Sequence, residues 1–235
     1  MTRDRNIASV VRGPGRRVAL TLAFVCLLSL PARAAEPRDD EPRLRARLTP
    51  EAAEQVLALV RQARDASLPT DPLVARALEG ASRGVESARI VTGVRALADA
   101  LGTARGALSP GATADEIVAG GNALLAGVPA DTLTSLRSSR GGGSLVIPLV
   151  VLCDLVSRGV PAGPASAAVI TASRSGATDR TLLRLRERIH ERIEKGGSPE
   201  RATGEVLKQW LRDAPSGSRS VTSPPSVPPK RPGKP

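Results

Sequence analysis

Four glycine signals divide the middle of this chain into short segments of similar length. Each places a glycine before a small apolar residue: Gly84-Val85, Gly127-Val128, Gly159-Val160 and Gly176-Ala177. Glycine readily adopts the left-handed backbone conformation that ends a helix, and the apolar residue after it can fold back onto the last turn. With further stop and cap markers at 68, 112, 144 and 198, five of the seven successive spacings are 16 or 17 residues. This spacing leaves room for one short helix and one loop, and it predicts an array of helices.

Helix starts are marked as clearly as helix ends. A capping residue, a first-turn proline and an acid occur in order at Thr49-Pro50-Glu51 and at Ser198-Pro199-Glu200. Asp71-Pro72 likewise combines a capping residue with a first-turn proline. Thr113 and Glu116 have the spacing of a capping box. These signals and the apolar periodicity predict nine helices, at 50–66, 72–82, 87–107, 113–126, 130–139, 145–158, 162–174, 179–195 and 199–212.

The predicted fold class is therefore all-α, an array of short helical hairpins that is either solenoid-like or compact. One helix and loop of 16 or 17 residues implies a hairpin of about 33 residues, as in helical solenoids whose hairpins stack and share a core. The sixth segment is ambiguous, because Leu145–Leu152 could also be a buried strand. Pro148 and the lack of a partner strand favour a helix with proline in its first turn. Cys153 in the same apolar run is expected to be buried.

Residues 1–34 have the pattern of a cleavable signal peptide. An arginine-rich leader precedes the apolar run Val18–Leu30, and Ala32-Arg33-Ala34 offers a small-x-small cleavage site. The run is shorter than the roughly 20 residues of a membrane span. Lipidation at Cys26, twin-arginine export through Arg16-Arg17 and retention as an anchor remain alternatives. The expected location is periplasmic or extracellular, and the excess of arginine over lysine hints at a bacterial gene.

Three further segments complete the predicted organisation. Residues 35–48 are polar and contain prolines, so a flexible segment is expected there. Residues 49–213 form the predicted α-helical domain. Residues 214–235 are rich in proline, serine and basic residues, which predicts a disordered tail able to make weak electrostatic contact with anionic surfaces.

Composition argues against several classes of function. The net charge is +11, but the leader contributes +5 and the tail +4, so residues 35–213 carry only +2. A nucleic-acid-binding domain would concentrate basic residues on its folded surface. Trp210 is the only aromatic residue outside the leader, which leaves few platforms for stacking bases. Neither a nucleic-acid partner nor a cofactor is predicted. A single histidine, with Cys153 as the only cysteine beyond the leader, provides no ligand set for structural zinc.

Three local motifs are given structural interpretations. Gly141-Gly142-Gly143 could cradle an anion at the following helix start, but a flexible linker is the preferred interpretation. Asp154 and Arg158 have the spacing of a helical ion pair. Asp115 and Glu116 fall in a helix first turn, where acids favour the helix dipole. No catalytic residue is predicted.

The segment 180–195 supplies the one candidate interaction surface. Leu182, Leu185, Ile189 and Ile193 form an apolar stripe, and on the remainder of the helix six basic residues outnumber three acidic ones. A solvated helix face explains most of this pattern, but an acidic partner or a membrane surface could also bind there. The surface comprises Arg184, Arg186, Arg188, His190 and Arg192.

These observations predict an exported helical scaffold, or a protein- or peptide-interaction module, without catalytic activity. Its expected partner is a protein or peptide of the cell envelope, and no integral membrane span is expected after signal cleavage. The alternatives are an envelope enzyme with an unrecognised active site and a peripheral membrane-associated protein. A long shallow groove would favour the interaction module, and ionisable side chains converging in a deep pocket would favour the enzyme.

Overall fold

A computed structural model describes residues 40–213, and every regular element in that range is an α-helix. The predicted signal peptide, the tail and the start of the 35–48 segment lie outside the described residues. Ten helices follow one another along the chain: α1 Asp40–Arg45, α2 Pro50–Asp65, α3 Asp71–Ser82, α4 Ser87–Leu108, α5 Ala114–Leu125, α6 Ala130–Arg140, α7 Val146–Ser157, α8 Ala162–Arg174, α9 Asp179–Glu194 and α10 Pro199–Asp213.

All nine predicted helices are confirmed, with ends that differ from the prediction by at most one residue. The ambiguous sixth segment is helix α7, and Pro148 lies in its first turn. The expectation of a flexible segment over residues 35–48 is wrong for its described part, because α1 occupies Asp40–Arg45. Leu44 is fully buried and anchors this short helix in the core. The charged residues and prolines that dominate the segment gave no indication of this burial.

The glycine stops end their helices as predicted. Gly127 has a φ of 91°, and the amide of Val128 donates to the carbonyl of Ala123 across the last turn. Val128 and Val160 are then buried against the core, as the cap motif requires. Ser67 makes the same type of cap at the end of α2 with a φ of 54°, and it is the one non-glycine residue with positive φ in the described range.

The glycine run at 141–143 is a defined turn and not the flexible linker that was expected. Gly141 and Gly142 both have positive φ, and the amide of Gly143 donates to the carbonyl of Arg140 at 2.9 Å. Leu145, which follows immediately, is fully buried. The run therefore serves as the C-terminal cap of α6 and directs the chain into α7.

The helices pack in two rows, in which each helix except α3 packs on the next helix but one along the chain. The first row is α2, α4, α6, α8 and α10. In the second row α1 packs on α3, and α5, α7 and α9 pack in succession. The starts of α5, α7 and α9 are 32 and 33 residues apart, which matches the predicted hairpin length. This connectivity resembles that of helical solenoids, within a compact helical array.

Two hydrophobic cores meet at the α4–α5 pair. The first core is formed by α1–α3, the Ile90–Leu101 part of α4 and Ile117; the second contains Ala104, Leu108 and the buried side chains from Ala119 onward. Gly120 and Gly121 of α5 are buried where the two cores join, because α4 approaches too closely for a side chain there. We call this contact the α4–α5 seam.

Candidate functional site

A concave groove runs between the parallel helices α2 and α4 of the described domain. It comprises two hollows of about 530 and 420 Å³ that share Arg95. The α4 residues that line it extend from Ser87 to Thr103, which corresponds to about 24 Å of helix. We call it the α2–α4 groove. Its length matches about seven residues of an extended peptide.

The chemistry of the α2–α4 groove is mixed. Its floor consists mainly of small and aliphatic side chains: Ala52, Leu59, Ala63, Leu68, Ala88, Val91 and Ala98. Gln55 and Gln62, seven residues apart on α2, supply amide donors and acceptors along one wall. Arg95 is exposed on the opposite wall and forms no ion pair with any residue between 40 and 213. These groups suit an elongated ligand with a polar backbone and small apolar substituents.

The predicted interaction surface on α9 is divided between two neighbouring helices. Arg188 lies 3.8 Å from Asp213, and Arg192 lies 3.8 Å from Glu205, both acids belonging to α10. Arg184 is exposed, whereas Arg186 and His190 are partly buried against α7. The five residues therefore do not form one continuous basic face, and intramolecular acids partly neutralise it. This arrangement weakens the case for an acidic partner at α9.

Arg186 and His190 instead join an ionic cluster with Asp154 of α7. His190 Nε2 lies 2.8 Å from Asp154 Oδ2, and Arg186 Nε lies 3.8 Å from the same oxygen. The His190–Asp154 approach lacks the alignment of a hydrogen bond, and all three of these atoms are buried without a hydrogen-bond partner in the described region. Arg158 also approaches Asp154 at 3.9 Å, so the predicted ion pair is present but long.

Arg158 is the only ionisable partner of Asp154 that the sequence predicts. The signal that could have found another is the hairpin period, since Asp154 and Arg186 are 32 residues apart and lie on helices adjacent in one row. Within residues 40–213, the side chains that approach the Asp154 carboxylate are Arg158, Arg186 and His190, and none of these is a serine or cysteine nucleophile. It therefore resembles an interhelical tie between α7 and α9 more than a catalytic constellation.

We expect the His190 cluster to make the fold less stable in mild acid. Burial lowers the pKa of His190 and Asp154 raises it, while Arg158 and Arg186 lower it again, so the net shift is downward from 6.5. The unfolded chain then binds the proton first, and the free energy of unfolding should fall as the pH drops below about 6.5. His190 is the only histidine in the sequence. Urea unfolding at pH 7, 6 and 5 should show this slope in the parent and a flatter one in His190→Gln. Equal slopes would contradict it.

A second buried ionic centre surrounds Glu116, whose side chain is only 4% exposed. One carboxylate oxygen accepts from the amide of Leu145 at 2.8 Å. The other accepts from the amide of Thr113 at 3.0 Å and from Arg137 Nη2 at 2.7 Å. Arg137 also donates to the carbonyl of Leu108 at 3.3 Å. We call this network the Glu116 hub.

The Glu116 hub occupies the helix start at which the glycine run was considered as a cradle for an anion. The amide at the start of α7 already donates to a carboxylate of the same chain. Burial raises the pKa of Glu116, but the hydrogen bonds from Leu145, Thr113 and Arg137 outweigh it and hold that pKa below its usual value. The capping box is confirmed, and its acid has a wider role than helix capping.

The remaining candidate groups in the described residues show no features of a reactive or metal-binding site. Cys153 is half-buried, less than expected, and burial followed by the neighbouring Asp154 raises the pKa of its thiol, which disfavours the reactive thiolate. Residues 40–213 contain no group of three or more histidine, cysteine or acidic side chains that could hold a metal ion. No helix in this range is long and apolar enough to span a membrane.

Comparison of the chain with known proteins found no match among protein-family models, curated proteins or solved structures. The class of protein is therefore defined by its own fold and surfaces, as a two-row helical array with a groove between α2 and α4.

Proposed function

We propose that this chain is an exported helical interaction module, without catalytic activity, that binds a peptide or an extended protein segment along the α2–α4 groove. The observation that carries this proposal is the groove itself: two hollows joined at Arg95, with a small apolar floor and amide side chains on one wall. The rows of a solenoid commonly present such elongated surfaces to partners. Arg95, free of ion pairs within the described domain, is available to an acidic residue of the partner, and Glu51 and Asp99, which also line the groove, are available to basic ones.

Two glycines of α4 provide a matched test of the groove. A side chain at Gly102 would enter the groove near Leu68, whose nearest atom is 4.0 Å from the added Cβ. Gly106 is also exposed on α4, has nothing within 4 Å and does not line the groove. Both Gly102→Leu and Gly106→Leu should stabilise the helix by about 0.5–1 kcal/mol. Only Gly102→Leu should block binding.

The measurement begins with selection of peptides from a display library on the purified chain, followed by fluorescence anisotropy with the selected peptides. We expect Gly102→Leu to weaken binding at least tenfold and Gly106→Leu to leave it unchanged. Failure to enrich any peptide, or equal binding by both variants, would argue against the α2–α4 groove as the binding site.

Export is the second element of the proposal, and it rests on the leader of residues 1–34. We expect the protein recovered from the envelope or the medium of an expressing bacterium to begin at or near Ala35. Intact-mass measurement provides the check. Recovery of the full-length chain from the membrane fraction would instead point to a retained anchor.

A further inference from the structure

A smaller hollow of about 190 Å³ lies between α3 and α4, on a different side of α4 from the groove. Gly80, Val85, Ile90 and Gly93 give it an apolar floor. Its rim is charged and consists of Arg76, Glu79, Arg83 and Arg89. On the helical wheel of α4, the residues of this hollow lie about 165° from those that line the α2–α4 groove. We call it the α3–α4 hollow.

Val85 in this hollow departs from the cap pattern of the other helices. The amide of Val85 donates to the carbonyl of Gly80, so it occupies the same cap position as Val128 and Val160. Those two valines are 2% and 1% exposed, whereas Val85 is 40% exposed. The local backbone motif is therefore formed, but the apolar contact that usually accompanies it is missing.

The packing of the rows explains why Val85 is uncovered. The helices α5, α7 and α9 pack in succession, but α3 makes no comparable contact with α5. The C-terminal end of α3 therefore has no helix of its own row packed beyond it. An aliphatic side chain from a ligand could cover Val85 there, as a row neighbour covers the equivalent valines, whereas Ile90 is already buried against Gly80.

The rim of the hollow has an excess of positive charge. Arg83 pairs with Glu79 at 2.7 Å, which neutralises both. Arg76 and Arg89 form no ion pair or side-chain hydrogen bond with any residue between 40 and 213. Two guanidinium groups beside an apolar floor suit a ligand that carries an anionic oxygen pair next to an aliphatic group, because arginine binds carboxylates in a bidentate manner.

We propose that the α3–α4 hollow binds the free C-terminal end of a polypeptide whose last residue is a small aliphatic one. The terminal carboxylate lies between Arg76 and Arg89, and the last side chain packs on the exposed side chain of Val85. A volume of about 190 Å³ accommodates one residue of this size. A chain end is favoured over a small free acid because the hollow is open on one side, and the preceding residues add contacts along the rim. The proposal does not depend on the α2–α4 groove.

The test uses a short fluorescein-labelled peptide that ends in leucine-valine, prepared with a free carboxylate and as the C-terminal amide. Fluorescence anisotropy on the purified chain should show binding of the acid in the micromolar to submillimolar range and at least tenfold weaker binding of the amide. Arg76→Gln and Arg89→Gln should each weaken binding of the acid at least tenfold. Arg61→Gln is the matched control, because Arg61 is an exposed arginine of α2 outside the hollow.

Two more measurements keep the proposal open to refutation. Val85→Ser should weaken binding of the peptide acid several-fold. It should not unfold the domain, because Val85 is already exposed. Hexanoate should compete poorly. The proposal would be overturned if the acid and the amide bound with equal affinity, or if Arg61→Gln weakened binding of the acid as much as the two variants in the hollow. It would also be overturned if hexanoate competed as strongly as the unlabelled peptide. Absence of binding below about 1 mM would overturn it as well.

Discussion

Replacing Glu116 with glutamine should lower the free energy of unfolding by about 3 kcal/mol, a large part of the stability of an ordinary domain. The carboxylate accepts hydrogen bonds from two backbone amides and from Arg137, and its side chain is only 4% exposed. Glutamine can retain one acceptor, but its amide group would face either a backbone donor or Arg137. The guanidinium of Arg137, itself only 18% exposed, would then lack its counter-charge. Urea unfolding at pH 7 provides the measurement.

Asp115→Asn is the matched control, because Asp115 is the neighbouring first-turn acid and is exposed. It should cost less than about 0.5 kcal/mol. The double variant Glu116→Gln/Arg137→Met should be more stable than Glu116→Gln alone, since it removes the unpaired charge. The difference in the free energy of unfolding between the parent and Glu116→Gln should also become smaller at acidic pH. The pKa of Glu116 is depressed, so its contribution is complete above about pH 4.5 and is lost as the pH falls through the folded-state pKa.

Gly121→Val should destabilise the domain by about 2–3 kcal/mol through overpacking of the α4–α5 seam. A Cβ at this position would lie 2.9 Å from Leu101 Cδ2 and 3.4 Å from the Leu101 amide nitrogen. Leu101 is fully buried, so neither its side chain nor the α4 backbone can move without disturbing the first core. Helix propensity alone predicts the opposite sign, because valine is a better helix former than glycine.

Gly106→Val is the control that separates these two effects. Gly106 also lies inside a helix, but a side chain there meets nothing within 4 Å. Thermal and urea unfolding should show a neutral or slightly stabilising effect at 106 and a clear loss at 121. Comparable effects at both positions would mean that α4 and α5 are not in the close contact described here.

The sequence was sufficient to predict the helices because their ends are set by local chemistry. A capping side chain such as Thr113, a first-turn proline such as Pro50 and a glycine with positive φ such as Gly127 act within a few residues of their own position. The 33-residue hairpin period follows from the same signals. Only α1 was missed, since the burial of Leu44 is a tertiary contact that the local sequence does not indicate.

The candidate site was less accessible from sequence because its groups come from distant positions. Glu116 and Leu145 are far apart in the chain, and nothing local to either residue signals their contact. The contact also explains why the glycine run is a fixed turn. Asp154 and His190 meet through the packing of α7 on α9, which the hairpin period could have suggested. The α2–α4 groove depends on the distance between two helices, and the periodicity of a sequence does not determine that distance.

The row connectivity has a consequence for how this architecture could change in length. Extensive packing in the described domain never extends past the next helix but one, so adding or removing a whole hairpin would leave most interfaces intact. The Glu116 hub is the exception, because one carboxylate joins the start of α5 to α6 and to the start of α7. Insertion of a hairpin is therefore tolerated best near the loop between α8 and α9, where sequential packing is slight, and least between α5 and α7.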